Sequence, residues 1–429
     1  MMAPREKAWP WRKSRVRMMS RQLVFIGAGM FTVSMAWMSA TESTILSAIR
    51  TSPEARATYL AHAIIWRDPG ALSPKDVLEG PVGAFPYTYE QANSDEGIEC
   101  TFAQAGKELG GSSAKFLCRT ADGHDLRLKY WDPQSRTGNR EVFGTVAASR
   151  LMWALGFDAV PALPIKVRCD GCPENPHTGA GSRRTRRYVA MLQAQWPTPV
   201  ILSNGRVDQG WSWRDLDTAI RLLPRGLERA RQRTYFNALT LLGVFMQHGD
   251  RKREQQRLYC AAHVDTEAGE LRADNVVTPP LILLERPGAS ACPTSAVTIV
   301  DVGATFGGAG RESSEATAKM NLEAWERKRV FTATNGNECR GELTVSFRAL
   351  LDGESNPVIS EEGRRFLVEQ LHRVTQEEVR AIFRAAHVDQ LGPRGPDGSP
   401  EAGRAIDTWV AVFQDKVRQI EARRCQPAE

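Results

Sequence analysis

The stretch QHGDRKREQ at residues 247–255 decides the fold when it is taken together with IVDVGATFG at residues 299–307. The first stretch supplies a carboxylate, a lysine two positions later and an amide side chain five positions later. The second is an apolar, strand-like run that delivers another Asp onto a glycine-containing turn. Phosphoryl transfer needs this set, because one Asp orients a hydroxyl while an amide and a second Asp hold metal on phosphates.

Length and composition are those of a folded protein, with 429 residues, 42% apolar and 25% charged residues. The formal net charge is +6. Residues 1–21 hold seven basic residues and one acidic residue, so this short segment accounts for the whole excess. The remaining chain is nearly neutral, and the sequence therefore predicts no nucleic-acid partner.

The amino-terminal segment resembles an export signal or a membrane anchor. A basic region at residues 1–22 precedes LVFIGAGMFTVSMAWMSA at residues 23–40, an uncharged run just long enough to cross a bilayer as a helix. Basic residues before such a span favour a cytoplasmic amino terminus. The sequence predicts either a single-pass membrane protein with its carboxy-terminal domain outside the cytoplasm, or a protein secreted after cleavage. A buried core helix is the third alternative, and initiation at Met18 or Met19 would shorten the basic region.

Cysteine usage agrees with export, because the eight cysteines are an even number that an oxidising compartment could pair. Cys169 and Cys172 could form a redox pair, half a zinc site or a structural disulfide, and we favour the disulfide because nearby prolines predict a loop. A disulfide between Cys260 and Cys292 would close the long segment 256–298. The sequence does not reveal the other pairings.

The pattern along the chain predicts an α+β protein with a small strand-rich part and a larger helical part. Residues 41–96 are interpreted as a spacer with some helix, 97–167 as strand-rich, 168–390 as mainly helical, and 391–429 as a loop followed by an amphipathic helix. Within the strand-rich part we expect a hairpin that turns at Asp122-Gly123 and a helix over 141–155. Residues 160–167 are predicted as a proline-interrupted edge strand.

The two motifs give the chain a resemblance to the protein-kinase-like superfamily, in the style of the phosphoinositide 3-/4-kinase and secreted Golgi kinase branches. Gly249-Asp250-Arg251 is similar to the catalytic loop of those families, and Asp301-Val302-Gly303 is similar to their metal-binding turn. The resemblance covers residues 97–390. It implies a two-lobed kinase-like fold, here preceded by one amino-terminal transmembrane or signal helix.

Carried over by position, the resemblance implies roles for four polar residues. Asp250 would orient the acceptor hydroxyl and accept its proton, and Lys252 would steady the γ-phosphate. Asp301 would hold Mg²⁺ or Mn²⁺ between the phosphates. Gln255 stands where the family usually places an Asn metal ligand, which is a departure, although secreted relatives with Glu there show that the position varies.

The strand-rich part offers candidate nucleotide contacts. Lys129 stands at the end of a predicted strand, where the resemblance implies a lysine for the α- and β-phosphates, and Glu141 opens the next helix and could pair with it. Ser112 and Ser113 follow two glycines and could cover phosphates through backbone N–H groups. Solvent-exposed charges and an unliganded turn are the alternative interpretations.

These features predict a membrane-anchored or exported phosphotransferase that uses ATP on a protein, lipid or glycan hydroxyl. Two alternatives stay open. The chain could be a catalytically inactive kinase-like binding module, which the Gln255 departure favours, or it could transfer AMP instead of the γ-phosphate. The arginines at 183, 184, 186 and 187 could bind an acidic ligand, but a solvated loop is the preferred interpretation.

Overall fold

The computed structural model of the chain describes residues 48–81, 83–103, 113–131, 139–194, 199–204, 210–261, 292–307, 319–332, 338–346, 349–391 and 402–427. These residues belong to one unit of the chain, Ser47–Glu429. They form β-sheets and ten α-helices. The predicted span at 23–40 lies outside the described residues, and none of the helices within them is both long and apolar enough to cross a bilayer.

Five strands close into a barrel in the order β2-β3-β4-β6-β5: β2 Ile98–Ala103, β3 Lys115–Arg119, β4 Asp125–Tyr130, β5 Ala162–Cys172 and β6 Arg184–Gln193. The hairpin β3–β4 turns through Gly123 at φ +90°, which confirms the turn predicted at Asp122-Gly123. Apolar side chains from all five strands fill the interior, including Phe102, Phe116, Leu128, Ile165 and Ala190.

The predicted boundary of the strand-rich part at 167/168 falls inside β5, and the barrel continues to Gln193. The edge-strand prediction for 160–167 is confirmed for Ala162–Lys166, which pair with β6 and not with β2, whereas from Val167 onward β5 pairs with both strands. Pro164 lies ahead of the stretch Val167–Asp170 that pairs with β2, so its missing N–H group interrupts no bond to that strand. Of the four arginines for which a loop was preferred, Arg184, Arg186 and Arg187 lie on β6, and Arg183 directly precedes that strand.

Helix α4, Glu141–Ala154, packs against the barrel and is buried around almost its whole circumference. The chain leaves it at Gly156, whose φ of +82° favours glycine. A Cβ on that residue would also lie 2.2 Å from the carbonyl oxygen of Arg67. The helix predicted over 141–155 is thus confirmed.

A second sheet has the order β1-β7-β8-β9, with β1 Ala48–Thr51, β7 Val200–Ser203, β8 Gln256–Cys260 and β9 Ser295–Ile299. The spacer prediction for 41–96 was wrong over its described part, because β1 pairs with β7 and helix α1, Pro53–Ala61, buries Leu60 in the main core. Two short helices follow, α2 Pro74–Glu79 and α3 Tyr89–Ala92.

The remaining elements are mainly helical: α5 Trp213–Leu222, α6 Leu227–Phe245, α7 Leu322–Arg327, α8 Glu361–Arg373, α9 Gln376–Ala385 and α10 Ala402–Ala422, with the strand pair β10 Cys339–Arg340 and β11 Val358–Ile359. Thr375 and Glu378 form a capping box at the start of α9. Rings from several of these elements form an aromatic cluster that includes Phe245, Phe306, Trp325, Phe383, Trp409 and Phe413.

All eight cysteines are paired, as Cys100–Cys118, Cys169–Cys172, Cys260–Cys292 and Cys339–Cys425. The pairing confirms the disulfide predicted at 260–292 and the structural interpretation of Cys169 and Cys172. The 169–172 bridge lies within β5, at a register shift in its pairing with β6.

Candidate active site

A buried lysine joins three elements that are distant in sequence. Lys129 lies near the end of β4, and its Nζ is 3.4 Å from Oε2 of Glu141, the first residue of α4. The same Nζ is 3.3 Å from Oδ2 of Asp301, which follows β9. The structure therefore brings together the lysine, the helix-opening glutamate and the metal-turn aspartate that the sequence singled out.

Electrostatics explain how these charges tolerate burial. Desolvation alone would lower the pKa of Lys129, but the carboxylates of Asp301 and Glu141 outweigh it and raise that pKa. Burial likewise opposes ionisation of Glu141, yet the ammonium groups of Lys129 and Lys319 hold its pKa well below the usual range. Lys129 and Glu141 therefore stay charged near neutral pH, which preserves a cation for an anionic ligand.

Glu141 has two further partners. Lys319 donates to its Oε1, and the Ser113 hydroxyl donates to Oε2, the oxygen that also faces Lys129. Ser113 is thus at the site, where it contacts the glutamate. Ser112 lies outside the described residues. Sequence reasoning missed Lys319, because no local pattern connects it to a glutamate 178 residues earlier.

The turn after Asp301 packs directly on α4. The Asp301 carboxylate accepts a hydrogen bond from the Gly303 N–H at 3.1 Å. A Cβ on Gly303 would lie 2.8 Å from Thr145 Oγ1 and 3.0 Å from Glu141 Cβ, so glycine permits this close approach. A Cβ on Gly144 would in turn lie 2.6 Å from the Gly303 carbonyl oxygen. This packing sets the position of Asp301 against Glu141.

The second cluster surrounds Asp250. Its Oδ2 is 3.1 Å from Lys252 Nζ and accepts a hydrogen bond from Gln255 Nε2 at 2.9 Å. Its Oδ1 accepts from the Ser346 hydroxyl at 3.2 Å. Gln255 ends a short 3-10 helix that leads into β8, so the fold returns the amide to the carboxylate five residues before it. Ser346, like Lys319, is a contact that the sequence did not indicate.

Pairing of β8 with β9 brings the two motifs to the same end of the sheet. Gln256 is in register with Ile299, and the Val300 N–H donates to the Gln255 carbonyl at 2.7 Å. Gln255 therefore stands beside the strand that delivers Asp301. His248 is fully buried nearby. Its burial, and to a smaller extent the charge of Arg251, lower its pKa to about 4, although the carboxylates of Asp250 and Asp301 act in the opposite direction.

The donor set at this end of the sheet fits a hard divalent cation. The Oε1 atom of Gln255 is buried and accepts no hydrogen bond within the described residues. Asp301 contributes a carboxylate that is only partly buried. Mg²⁺ and Mn²⁺ prefer carboxylate and carbonyl oxygens, so Asp301 and Gln255 are suitable ligands.

Lys115 is another residue that sequence reasoning missed. It is buried on β3 directly across the strand pair from Lys129, and burial together with the Lys129 charge lowers its pKa. Cross-strand register could have indicated it, because the predicted hairpin already set the two lysines on neighbouring strands.

Comparison with known proteins adds little to this geometry. No protein-family model matches the chain, and the comparison with curated proteins finds no match. Among solved structures, that of the Helicobacter pylori proinflammatory kinase CtkA aligns with 76% of this chain and 94% of its own, at a TM-score of 0.36 and 11% identity. A likeness at this score carries no argument about fold or function, so the interpretation depends on the site itself.

Proposed function

We propose that the chain is an ATP-dependent phosphotransferase with a two-lobed kinase-like fold, in which the barrel forms the smaller lobe and the helical elements the larger. One observation carries the proposal: β4, α4 and the turn after β9 bring the carboxylates of Glu141 and Asp301 to 3.4 Å and 3.3 Å from the Lys129 ammonium group. A buried lysine oriented by a helix-borne glutamate, beside a metal-binding aspartate, is the arrangement that positions nucleotide phosphates in this superfamily.

Nucleotide binding would use the charges already assembled. Lys129, held by Glu141, would contact the α- and β-phosphates, and Lys115 beside it would add positive potential. Asp301 and Gln255 would hold Mg²⁺ or Mn²⁺, which when bound neutralises charge on the phosphates. Ser113 would contact phosphate in exchange for its hydrogen bond to Glu141.

Asp250 would act on the acceptor. Its Oδ1 already receives a hydroxyl hydrogen bond from Ser346 at 3.2 Å, so an acceptor hydroxyl could be oriented there in the same manner. Lys252, at 3.1 Å from Oδ2, would stabilise charge on the transferred group. We propose a protein, lipid or glycan hydroxyl as acceptor, since a carboxylate that takes a proton suits each of them.

Thermal unfolding with and without ATP and Mg²⁺ or Mn²⁺ tests the proposal. Ligand at a hundred times its dissociation constant adds about 2.7 kcal/mol of stability. We expect Asp301→Asn to abolish the metal-dependent shift of the unfolding midpoint, whereas Asp250→Asn should keep that shift. In a separate assay with γ-labelled ATP, Asp250→Asn should no longer transfer the label. Glu377→Gln, at an exposed ion pair, is the control and should behave as the wild type.

The outcomes separate the competing functions. Metal-dependent ATP binding without transfer of any label would contradict the phosphotransferase proposal and support a kinase-like binding module. Transfer of α- but not γ-phosphate label would indicate an AMP transferase. Absence of a shift with every nucleotide and metal would contradict the nucleotide site altogether.

We further propose that this domain works outside the cytoplasm, either anchored by residues 23–40 or released after cleavage. The pairing of all eight cysteines supports an oxidising compartment. Protease treatment of intact cells that express the chain with a carboxy-terminal tag checks the location. Digestion of the tag, or its recovery outside the cells, is expected, and full protection of a cell-associated tag would contradict the proposal.

A further inference from the structure

A cavity of about 1020 Å³ lies apart from the residues of the candidate active site, between α5, α6, the β10–β11 pair and the start of α8. Its lining is rich in arginine, with guanidinium groups from residues 214, 221, 225, 229, 233 and 251. Lys129, Glu141, Asp250 and Asp301 do not line it. We call this space the arginine cavity.

Helical spacing directs several of these arginines to one place. Arg229 and Arg233 are four residues apart on α6, and Arg214 and Arg221 are two turns apart on α5. Residues at such spacings share a helix face, so each helix presents guanidinium groups to the space between them. The charge is thereby concentrated within the cavity.

Arg251, which lines the arginine cavity, is fully buried. Its guanidinium carbon is 4.0 Å from the centroid of the Trp213 ring, and its nitrogens donate to the carbonyl oxygens of His248 and Thr240. No carboxylate of the described residues forms an ion pair with it. Burial of a cation without a counter-charge is costly, and it lowers the pKa of Arg251 to about 9.

Two donors in the lining are buried and make no hydrogen bond within the described residues, namely Trp213 Nε1 and Arg233 Nε. The lining has fewer carboxylates than arginines. Asp217 pairs with Arg221, and Glu338 pairs with Arg340 outside the lining, while Glu354 and Glu362 are exposed. Six arginines face four carboxylates, and the unsatisfied groups are donors.

We propose that the arginine cavity binds a small molecule with several phosphate groups. Guanidinium forks match phosphate oxygens in pairs, and arginines spread over two helices suit more than one phosphate. The volume is that of a site for a ligand of ordinary drug size. The phosphates belong to a soluble molecule or to a phosphomonoester lipid headgroup, and the exposed Leu222 and Leu227, which are next in sequence to the lining residues Arg221 and Gly226, suit the lipid source.

Calorimetric titration of the full chain in mild detergent, with tripolyphosphate as probe and a chelator present, tests the proposal. At physiological salt, we expect saturable binding that Arg229→Gln/Arg233→Gln weakens by about a hundredfold, since each charged hydrogen bond contributes about tenfold. Arg365→Gln, at an exposed arginine outside the lining, should stay within about twofold of the wild type. Thermal unfolding establishes that each variant is folded.

Two further titrations identify the binding site of tripolyphosphate and the natural source of the phosphate groups. Tripolyphosphate should still bind to the Lys129→Met variant, because Lys129 belongs to the candidate nucleotide site and not to the arginine cavity. The result therefore does not depend on whether the ATP experiment succeeds. If the source is a lipid, phosphatidic acid in the micelles should compete with tripolyphosphate while phosphatidylserine does not; a soluble source predicts no competition by either lipid. Absence of tripolyphosphate binding, or equal binding by the Arg229→Gln/Arg233→Gln variant, would overturn the proposal.

Discussion

Glu141 is the residue on which the charge arrangement of the candidate site depends. It is buried and compensates two ammonium groups, those of Lys129 and Lys319. Lys129 keeps Asp301 as a second partner, whereas the salt bridge of Lys319 among the described residues is to Glu141 alone. A neutral residue at position 141 therefore leaves excess positive charge in a buried place.

We predict that Glu141→Gln lowers the free energy of unfolding by about 3 kcal/mol, because removal of one partner exposes the desolvation cost of the others. Urea denaturation measures the change. Lys319→Gln in the same background should recover part of the loss by removing one uncompensated cation. Glu377→Gln, in the exposed pair with Arg380, should cost less than about 1 kcal/mol. Equal effects at positions 141 and 377 would contradict this account.

At the scale of single elements, α10 carries an unusual buried lysine. Lys416 is 1% exposed, its ammonium group lies 5.5 Å from the Trp325 ring centroid, and it donates to the carbonyl of Lys328. Burial lowers the pKa of Lys416 to about 8. The helix thus packs on the aromatic cluster at the cost of a partly uncompensated charge.

The lowered pKa predicts how stability depends on pH. Below pH 8 both folded and unfolded chains carry the charge, so the full penalty is present. Between pH 8 and 10.5 the unfolded chain binds more protons, and stability rises with pH by as much as about 3 kcal/mol. Denaturation of the wild type and Lys416→Met across this range should show the rise only in the wild type. A parallel pH dependence of the two proteins would contradict the assignment.

Local elements were predictable where the signal is short in range. The β3–β4 turn, α4, α8 and the capping box of α9 follow from a glycine turn, helical periodicity or cap residues within a few positions. The pairing of β5 with β2 from Val167 onward was not predictable, because this parallel partner is about seventy residues away in sequence and leaves no local trace.

At the scale of the whole molecule, disulfides link parts of the chain over very different distances. Cys339–Cys425 spans 86 residues and ties the end of α10 to the β10 strand, whereas Cys169–Cys172 spans three residues. Closing a longer loop restricts the unfolded chain more. The two bridges therefore differ in their contribution to stability.

We predict that Cys339→Ser/Cys425→Ser lowers the free energy of unfolding by about 4.6 kcal/mol, and Cys169→Ser/Cys172→Ser by about 1.6 kcal/mol, on the loop-entropy model. Denaturant unfolding without reductant compares the two variants with the wild type. A larger loss for the short bridge would show that native packing, and not loop length, governs these contributions.

The motifs that carry the proposed chemistry were readable in the chain because each is contiguous: Asp250 to Gln255, and the turn after Asp301. The tertiary structure decided which charges meet them. Lys129 reaches Asp301 across 172 residues, Lys319 reaches Glu141 across 178, and Ser346 reaches Asp250 across 96. The arginine cavity likewise exists only where α5 and α6 face the β10–β11 pair. Local signals extend over a turn or a cap, whereas these contacts arise from the packing of whole elements against one another.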